Sequence, residues 1–384
     1  MEAIFARLLD GLSQFAAPGG WKYSVMIIVG LILIVLAIKK EYEPLLLLPI
    51  GFGCILCNIP LSHAVGPEGF LTELYNSGIA NELFPVLLFI GIGAMIDFNP
   101  LFTQPVTLFF GAAAQFGIFM ATLLVVCCNF FLSDPFSMRE AAAIGIIGAA
   151  DGPSAIFIGN LFAPKYMGSI MVAAYSYMSL VPIIQPPVIR ALTTRKERLI
   201  RMSAADYGKK APKYVRILFP IIVTLVAGIV APMSTSLIGA LMFGNLLKEC
   251  GVTDKLSQSA QNELTNLITL LLGITIGSTM RAQDFISLHT VLILAIGLLA
   301  FVFDTAGGVM FAKLVNLFLP KNLKVNPMIG ACGISAFPMS ARIIQKMAQQ
   351  EDPGNFILMP AVGANVAGQV GSIIAAAMIL SIFG

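Results

Sequence analysis

Charge is scarce in this sequence. Of its 384 residues, 11% are Asp, Glu, Lys or Arg and 58% are hydrophobic, whereas a soluble domain carries about 25% charged residues. Soluble dehydrogenases, kinases, nucleases and nucleic-acid binders are excluded on that ground. Histidine occurs only twice, at His63 and His289, too few for a His-based metal or haem centre. The six cysteines lie almost entirely in apolar stretches, and Cys54 and Cys57 belong to the run that begins at Leu45. They read as reduced, packed thiols rather than a redox or zinc pair. No Walker A loop, dinucleotide fingerprint or serine elbow occurs, so energy for any work must come from an ion gradient or a partner subunit. No basic segment precedes a short apolar core and a small-residue cleavage site, so no cleavable signal is expected.

What the sequence does have is long, continuous apolar runs. At about 20 residues per crossing they predict an all-α polytopic membrane protein with about 10–12 membrane segments, rather than the short alternating strands of a β-barrel. The candidate segments are residues 25–38, 45–59, 83–96, 106–132, 141–162, 167–192, 217–233, 237–247, 264–280, 288–314, 326–347 and 356–383. Ahead of them, Ile4, Phe5, Leu8, Leu9 and Leu12 recur at helical spacing, which predicts an interfacial amphipathic helix within residues 1–20.

Basic loops set the orientation. Residues 190–216 hold nine Lys or Arg against Glu197 and Asp206, and Lys39 and Lys40 follow the first run; these ends should face the cytoplasm. Residues 62–82 carry Glu68, Glu73 and Glu82 and no Lys or Arg, and should face outside. Strict alternation from Lys39 would leave the 190–216 loop outside. The parity is restored if residues 141–162 dip into the membrane and return instead of crossing.

An internal repeat supports that reading. Leu87–Met95 resembles Leu271–Thr279, 184 residues on, and Ile147–Ala155 resembles Ile329–Ala336, 182 residues on. Arg139 and Glu140 precede the first broken segment, whereas Lys313, Lys321 and Lys324 precede the second. The flanking charges imply opposite senses, the plan of inverted-repeat transporters whose sites lie where broken helices meet. The expected organisation is N-terminal spans in 21–82, a first inverted repeat in 83–192, a basic cytoplasmic loop in 193–216, linking spans and loop in 217–263, and a second repeat in 264–384.

Asp151 is the outstanding acid, in Gly148-Ala-Ala-Asp-Gly-Pro-Ser154. Pro153 removes a backbone donor and disfavours helix at Gly152, and freed carbonyls at such depth are tolerable only beside protein or a wet cavity. A carboxylate with those carbonyls and Ser154 makes an oxygen-rich site for a hard cation. The alternative is a helix cap at the membrane surface, but intramembrane acids are costly and by default functional. Asp97 reads as a cap before Asn99-Pro100. Asp304, in an apolar run, is either structural or a second relay group. In the second repeat, Asn326, Gly330, Ser335 and Arg342 are packed between glycines and prolines, and Asn365 and Gln369 share a helix face; neutral oxygens there would complement Asp151, or else serve helix packing. Tyr175 fits an interfacial belt, and Tyr177 fits an ion ligand or proton donor. Arg342 either snorkels to the interface or offers a fork to a carboxylate or carbamate.

The blocks Gly148–Phe157, Ala173–Pro182, Val325–Gly330 and Asn365–Gly368 resemble, in order and over nearly the whole chain, the β subunits of the biotin-dependent sodium-translocating decarboxylases. That family comprises the oxaloacetate, glutaconyl-CoA and methylmalonyl-CoA decarboxylase complexes. The resemblance implies decarboxylation of carboxybiotin coupled to outward Na+ transport across a bacterial or archaeal cytoplasmic membrane. It places the functional aspartate on Asp151, the tyrosine on Tyr177, the asparagines on Asn326 and Asn365, and the glycine, serine and arginine on Gly330, Ser335 and Arg342. Tyr175, Gly152, Pro153 and Ser154 would support them. Biotin would be carried by a partner subunit, alongside a carboxyltransferase subunit and a small single-span subunit around a homotrimeric core. A free-standing sodium-coupled symporter or antiporter and a non-catalytic membrane scaffold are the rival readings. The chain is shorter than the oxaloacetate members, which favours an acyl-CoA complex.

Overall fold

The structure is a computed structural model that describes residues 10–11, 13–41, 43–103, 106–202, 210–230, 232–320, 324–336 and 339–384. Residues 1–9 and 12 lie outside it, and with them most of the expected interfacial helix. The described residues form helices and connecting turns without strands. We label the main helices α1 (Trp21–Lys40), α2 (Pro44–Cys57), α3 (Leu83–Met95), α4 (Thr107–Ala114), α5 (Phe116–Cys128), α6 (Met138–Gly145) and α7 (Gly152–Phe162). They continue as α8 (Met167–Leu192), α9 (Lys213–Val230), α10 (Thr235–Glu249), α11 (Thr265–Ser278), α12 (Leu288–Phe318), α13 (Met339–Glu351) and α14 (Leu358–Phe383). Helices α1, α12 and α14, and the continuous 107–131 segment containing α4 and α5, are long and apolar enough to cross a membrane. Helix α8 is bent by 66° between Met178 and Leu180. Pro182 explains the place: its missing N–H is the donor that would have met the Met178 carbonyl.

Contacts between loops define two faces. On one, Asn58 donates to the Met280 carbonyl at 2.7 Å and accepts from the Ala282 amide at 2.8 Å, Tyr75 reaches Asn160 at 3.3 Å, and Asp134 pairs with Lys165 at 3.7 Å. The His289 ring lies 2.9 Å from the Asp134 carbonyl and stacks on Tyr166. On the other face, Lys248 donates to the Met95 and Ile96 carbonyls, Arg216 pairs with Glu249 at 2.5 Å, and Lys313 bonds Leu192 and Glu197. The second face carries the basic loop, and the helices shuttle between the two.

Two segments start and finish on the same face. The first begins at a capping box of Ser137 and Glu140, runs through α6 and a 3-10 turn at Ile146–Ala149, breaks, and returns through α7 to Lys165 beside Asp134. Residues 141–162 therefore dip in and return, as the loop charges demanded. The break has a local cause. Asp151 is extended, Pro153 stands in the first turn of α7, and Ala150 adopts a left-handed conformation (φ 52, ψ 36), which costs a non-glycine residue about 1 kcal/mol. The second segment enters from the basic face at Asn326, climbs a 3-10 run at Pro327–Gly333, turns extended at Ile334, and descends through α13 to Glu351. Glu351 meets Arg198 of the basic loop at 2.7 Å. What the sequence offered as a candidate segment over 326–347 is thus a hairpin. The two hairpins enter from opposite faces and touch at their breaks, where the Ser335 amide donates to the Ala149 carbonyl at 3.3 Å.

Helix α12 packs against both hairpins. A methyl group added at either Gly308 or Gly330 would overlap the other's carbonyl oxygen, so only glycine permits this approach. Helix α14 closes the opposite side and carries the polar residues described next.

Candidate functional site

The site grows from the two breaks and from one face of α14. Asp151 is 4% exposed. Its Oδ2 accepts a short hydrogen bond from Ser154 at the start of α7 and another from Ser372 of α14 at 3.3 Å. Two turns earlier on α14, Asn365 donates to the carbonyls of Cys332 (3.2 Å) and Ile334 (2.6 Å), and one turn on, Gln369 donates to the Ser335 carbonyl. Ser335 in turn donates its hydroxyl to the Gly368 carbonyl at 2.9 Å. Gln115, between α4 and α5, reaches Gly111 at 3.1 Å and Gly333 at 3.4 Å. One helix face therefore holds the second hairpin with two amides and the first with a hydroxyl.

These amides share a property. Their NH2 groups are committed to backbone carbonyls, while the side-chain oxygens of Gln115, Asn365 and Gln369 are buried without a hydrogen-bond partner among the described residues. Native proteins rarely leave buried acceptors unpaired, and each costs about 1–3 kcal/mol. A buried carboxylate, two hydroxyls and orphaned neutral oxygens on the same elements are chemically the kind of donors a hard, weakly charged cation takes. Among the described residues no group of three or more His, Cys, Asp or Glu could hold a metal, which sets this site apart from a divalent or transition-metal centre.

Over residues 22–383 the chain matches the family described as Na+-transporting oxaloacetate decarboxylase beta subunit. It belongs to that family. It is 47% identical to the glutaconyl-CoA decarboxylase subunit beta of Acidaminococcus fermentans, covering 95% of this chain and 94% of the relative. It is 48% identical to the methylmalonyl-CoA decarboxylase subunit beta of Veillonella parvula, over 93% and 92%. With the probable oxaloacetate decarboxylase beta chain of Vibrio cholerae it shares 41% identity over 99% of both. The chain is thus a membrane-embedded subunit of a biotin-dependent, sodium-transporting decarboxylase.

Of the residues singled out from sequence, the structure brings Asp151, Ser154, Ser335 and Asn365 to the junction, with Gly152 and Pro153 forming the break. Tyr175 is buried against that break, where any side chain at Gly152 would strike its ring; it is no interfacial belt residue. Tyr177 is directed elsewhere, its phenol donating to the Leu294 carbonyl of α12 at 2.7 Å. Gly330 packs on Gly308. Asn326 stands at the foot of the second hairpin, donating to the carbonyls of Arg198 and Ile200, both at 2.9 Å, and capping Met328. The seven residues of the 3-10 run, at about 2 Å each, lift the break ~14 Å above it. Asn326 thus ties the hairpin to the basic loop and does not meet Asp151 here.

Arg342 is exposed on α13 and has no ion pair or hydrogen bond among the described residues. It lies in the first turn of that helix, close to the break and most of the helix length from Glu351. Arg342, Lys346 and Gln349 form one exposed polar stripe. Charged side chains at such depth belong beside water, so this stripe is expected to face water rather than lipid. At the C-terminal end of α13 Arg201 grips Asp352 at 2.6 and 2.8 Å, and Arg198 grips Glu351. These guanidinium groups hold both carboxyls below their ordinary values. Gln115 and Ser372 were not singled out from the sequence: a lone amide and a lone hydroxyl in apolar helices look like packing groups.

Proposed function

We propose that this chain is the carboxybiotin decarboxylase and ion translocase of its complex, moving Na+ outward across the cytoplasmic membrane. The observation that carries the reading is the meeting of two re-entrant breaks beside a buried carboxylate held by two hydroxyls, with unpaired amide oxygens on the helix that bears one of those hydroxyls. Asp151, with Ser154, Ser335, Asn365, Gln369 and Ser372, would hold sodium as cargo. The greater identity to the acyl-CoA decarboxylase subunits, 47% and 48% against 41%, favours an acyl-CoA as the upstream substrate.

Carboxybiotin, brought by a biotin-carrier subunit from a carboxyltransferase subunit, would enter along the α13 stripe. Arg342, without an ion pair or hydrogen bond among the described residues, would grip its carboxylate through two parallel N–H donors. The carbamate C–N bond then breaks, CO2 leaves, and the ureido nitrogen takes one proton. Of the two tyrosines, Tyr175 lies against the break and is the better placed to relay it. Asn326, Gly330 and Tyr177 would act through the scaffold, holding the hairpin to the basic loop and to α12. Each positive charge moved outward costs about 2.3 kcal/mol per 100 mV of membrane potential, so CO2 loss must precede opening to the acidic face. A small single-span subunit and a homotrimeric core would complete the membrane assembly.

The test is sodium-dependent decarboxylation of free carboxybiotin by the purified complex, wild type against Asp151→Asn. The variant is expected to lose its sodium dependence and turn over at background. Unchanged sodium dependence in an assembled Asp151→Asn complex would remove Asp151 from the site.

A further inference from the structure

Asp304 lies mid-way along α12, entirely buried; the Gly117 backbone amide is directed at its carboxyl, but neither oxygen makes a well-formed hydrogen bond or meets a charged group among the described residues. Two glycines close over it. A methyl group added at Gly117, in the first turn of α5, would overlap Oδ1 and the Ala300 carbonyl oxygen; one added at Gly148, just before the first break, would come within 3.1 Å of Oδ2. Backbone therefore fills the space on both sides of the carboxyl.

An ionised carboxylate facing one backbone amide and no positive charge in an apolar core is untenable, so something neutralises it. A sodium ion needs several oxygens and room between them; this cradle offers the carboxyl and the Ala300 carbonyl, with α-carbons against it. A proton needs one acceptor, and the Ala300 carbonyl oxygen, one turn back on the same helix, borders the same space as Oδ1. Other titratable groups are remote from the cradle. Helix α5 carries only Cys127 and Cys128, at the far end from Gly117, and α6 only Arg139 and Glu140, in its first turn on the outer face. The Ile146–Ala149 turn contributes none, the 3-10 run of the second hairpin carries only Cys332, and Tyr177 of α8 bonds Leu294, more than two turns earlier on α12. Asp151 follows Gly148 by three residues but points to Ser154 and Ser372.

We propose that Asp304 is a proton-binding site separate from the sodium site, protonated while Gly117 and Gly148 cover it. When the first hairpin moves off α12 and water reaches the carboxyl, the O–H bond breaks, the proton passes to water, and the carboxylate keeps the electron pair. Closure reverses the step. Position of the hairpin and protonation of Asp304 are then linked, whatever ion Asp151 holds.

Infrared spectroscopy of the intact complex in lipid tests this directly. A protonated-carboxyl C=O band is expected in wild type and in Asp151→Asn, absent in Asp304→Asn, and unaltered by saturating sodium. A wild type without the band, or a band that survives Asp304→Asn, overturns the proposal; a band abolished by sodium makes Asp304 a sodium ligand and overturns it too. Turnover in Asp304→Asn is expected to fall at least tenfold with sodium half-saturation unchanged, and full turnover would overturn the release step. If that variant fails to assemble, Gly148→Ala, which crowds Oδ2, is expected to shift the band, and an unshifted band counts against the cradle.

Discussion

Replacing Gln369 by leucine separates a sodium ligand from a structural clamp. In the absence of sodium the substitution removes the hydrogen bond to the Ser335 carbonyl, a loss of about 1 kcal/mol, and strips that carbonyl of a partner. It also removes the orphaned Oε1, whose burial costs about 1–3 kcal/mol. The two effects oppose each other, so sodium-free stability should stay within about 1 kcal/mol of wild type. With sodium the balance changes. A dipole on a charge is worth about 1.5–3 kcal/mol, and about 1.4 kcal/mol is tenfold in affinity. At a sodium concentration of about 100 times the wild-type Kd, wild type gains about 2.7 kcal/mol from binding, and a tenfold weaker variant about 1.4 kcal/mol. Thermal unfolding of the purified complex in sodium and in choline buffers reads this difference. The reasoning fails if both proteins gain equally from sodium while the variant is already more than about 2 kcal/mol less stable without it.

Two further perturbations address the second hairpin. Asn326→Ala should lower stability by about 1–2 kcal/mol, since the Arg198 and Ile200 carbonyls lose a donor and Met328 loses its cap, while sodium affinity stays put; selective loss of affinity at unchanged Tm would instead make Asn326 a ligand. The ion pairs at the C-terminal end of α13 carry a pH signature. Because Arg198 and Arg201 hold Glu351 and Asp352 below their ordinary values, the pairs contribute fully above the usual carboxylate range and weaken as pH falls through the lower folded values. Hydrogen exchange of residues 193–201, corrected for its intrinsic rate, should therefore be flat from roughly pH 8 to 5 and rise only below about 4; a rise near neutrality would mean that these carboxyls do not hold the loop.

The first hairpin was legible because its sequence violates two membrane rules at once. An acid stands in an apolar run, and a Gly-Pro step interrupts a helix where no loop charges allow a crossing. The parity of basic loops then gave its re-entrance without any tertiary information. Asn326 and Asn365 show where such reading stops. Both are amides beside small residues in the second repeat, and their chemistry alone cannot rank them. Their separation by a climbing 3-10 run does: one ends among loop carbonyls and the other at the break. Gln115 and Ser372 were hidden for the same reason, since the identity of a buried amide's partner is a property of packing between segments distant in sequence.

Helix α14 gives the junction its coupling. Ser372 holds the carboxylate of one hairpin, while Asn365 and Gln369 hold the carbonyls of the other, so all three ride on a single rigid element. Under the proposed site, a cation drawn to Asp151 would compete for the lone pairs that Ser154 and Ser372 now occupy, and would recruit amide oxygens whose nitrogens already grip the second hairpin. Filling the site would then pull on both breaks through one helix. Emptying it would leave the carboxylate with two hydroxyls and the amide oxygens unpaired, a state of higher energy by the cost of each orphan. That asymmetry, rather than any new contact, would let an ion bias the position of both hairpins, because a ligand shifts a conformational equilibrium only by its difference in affinity for the two states.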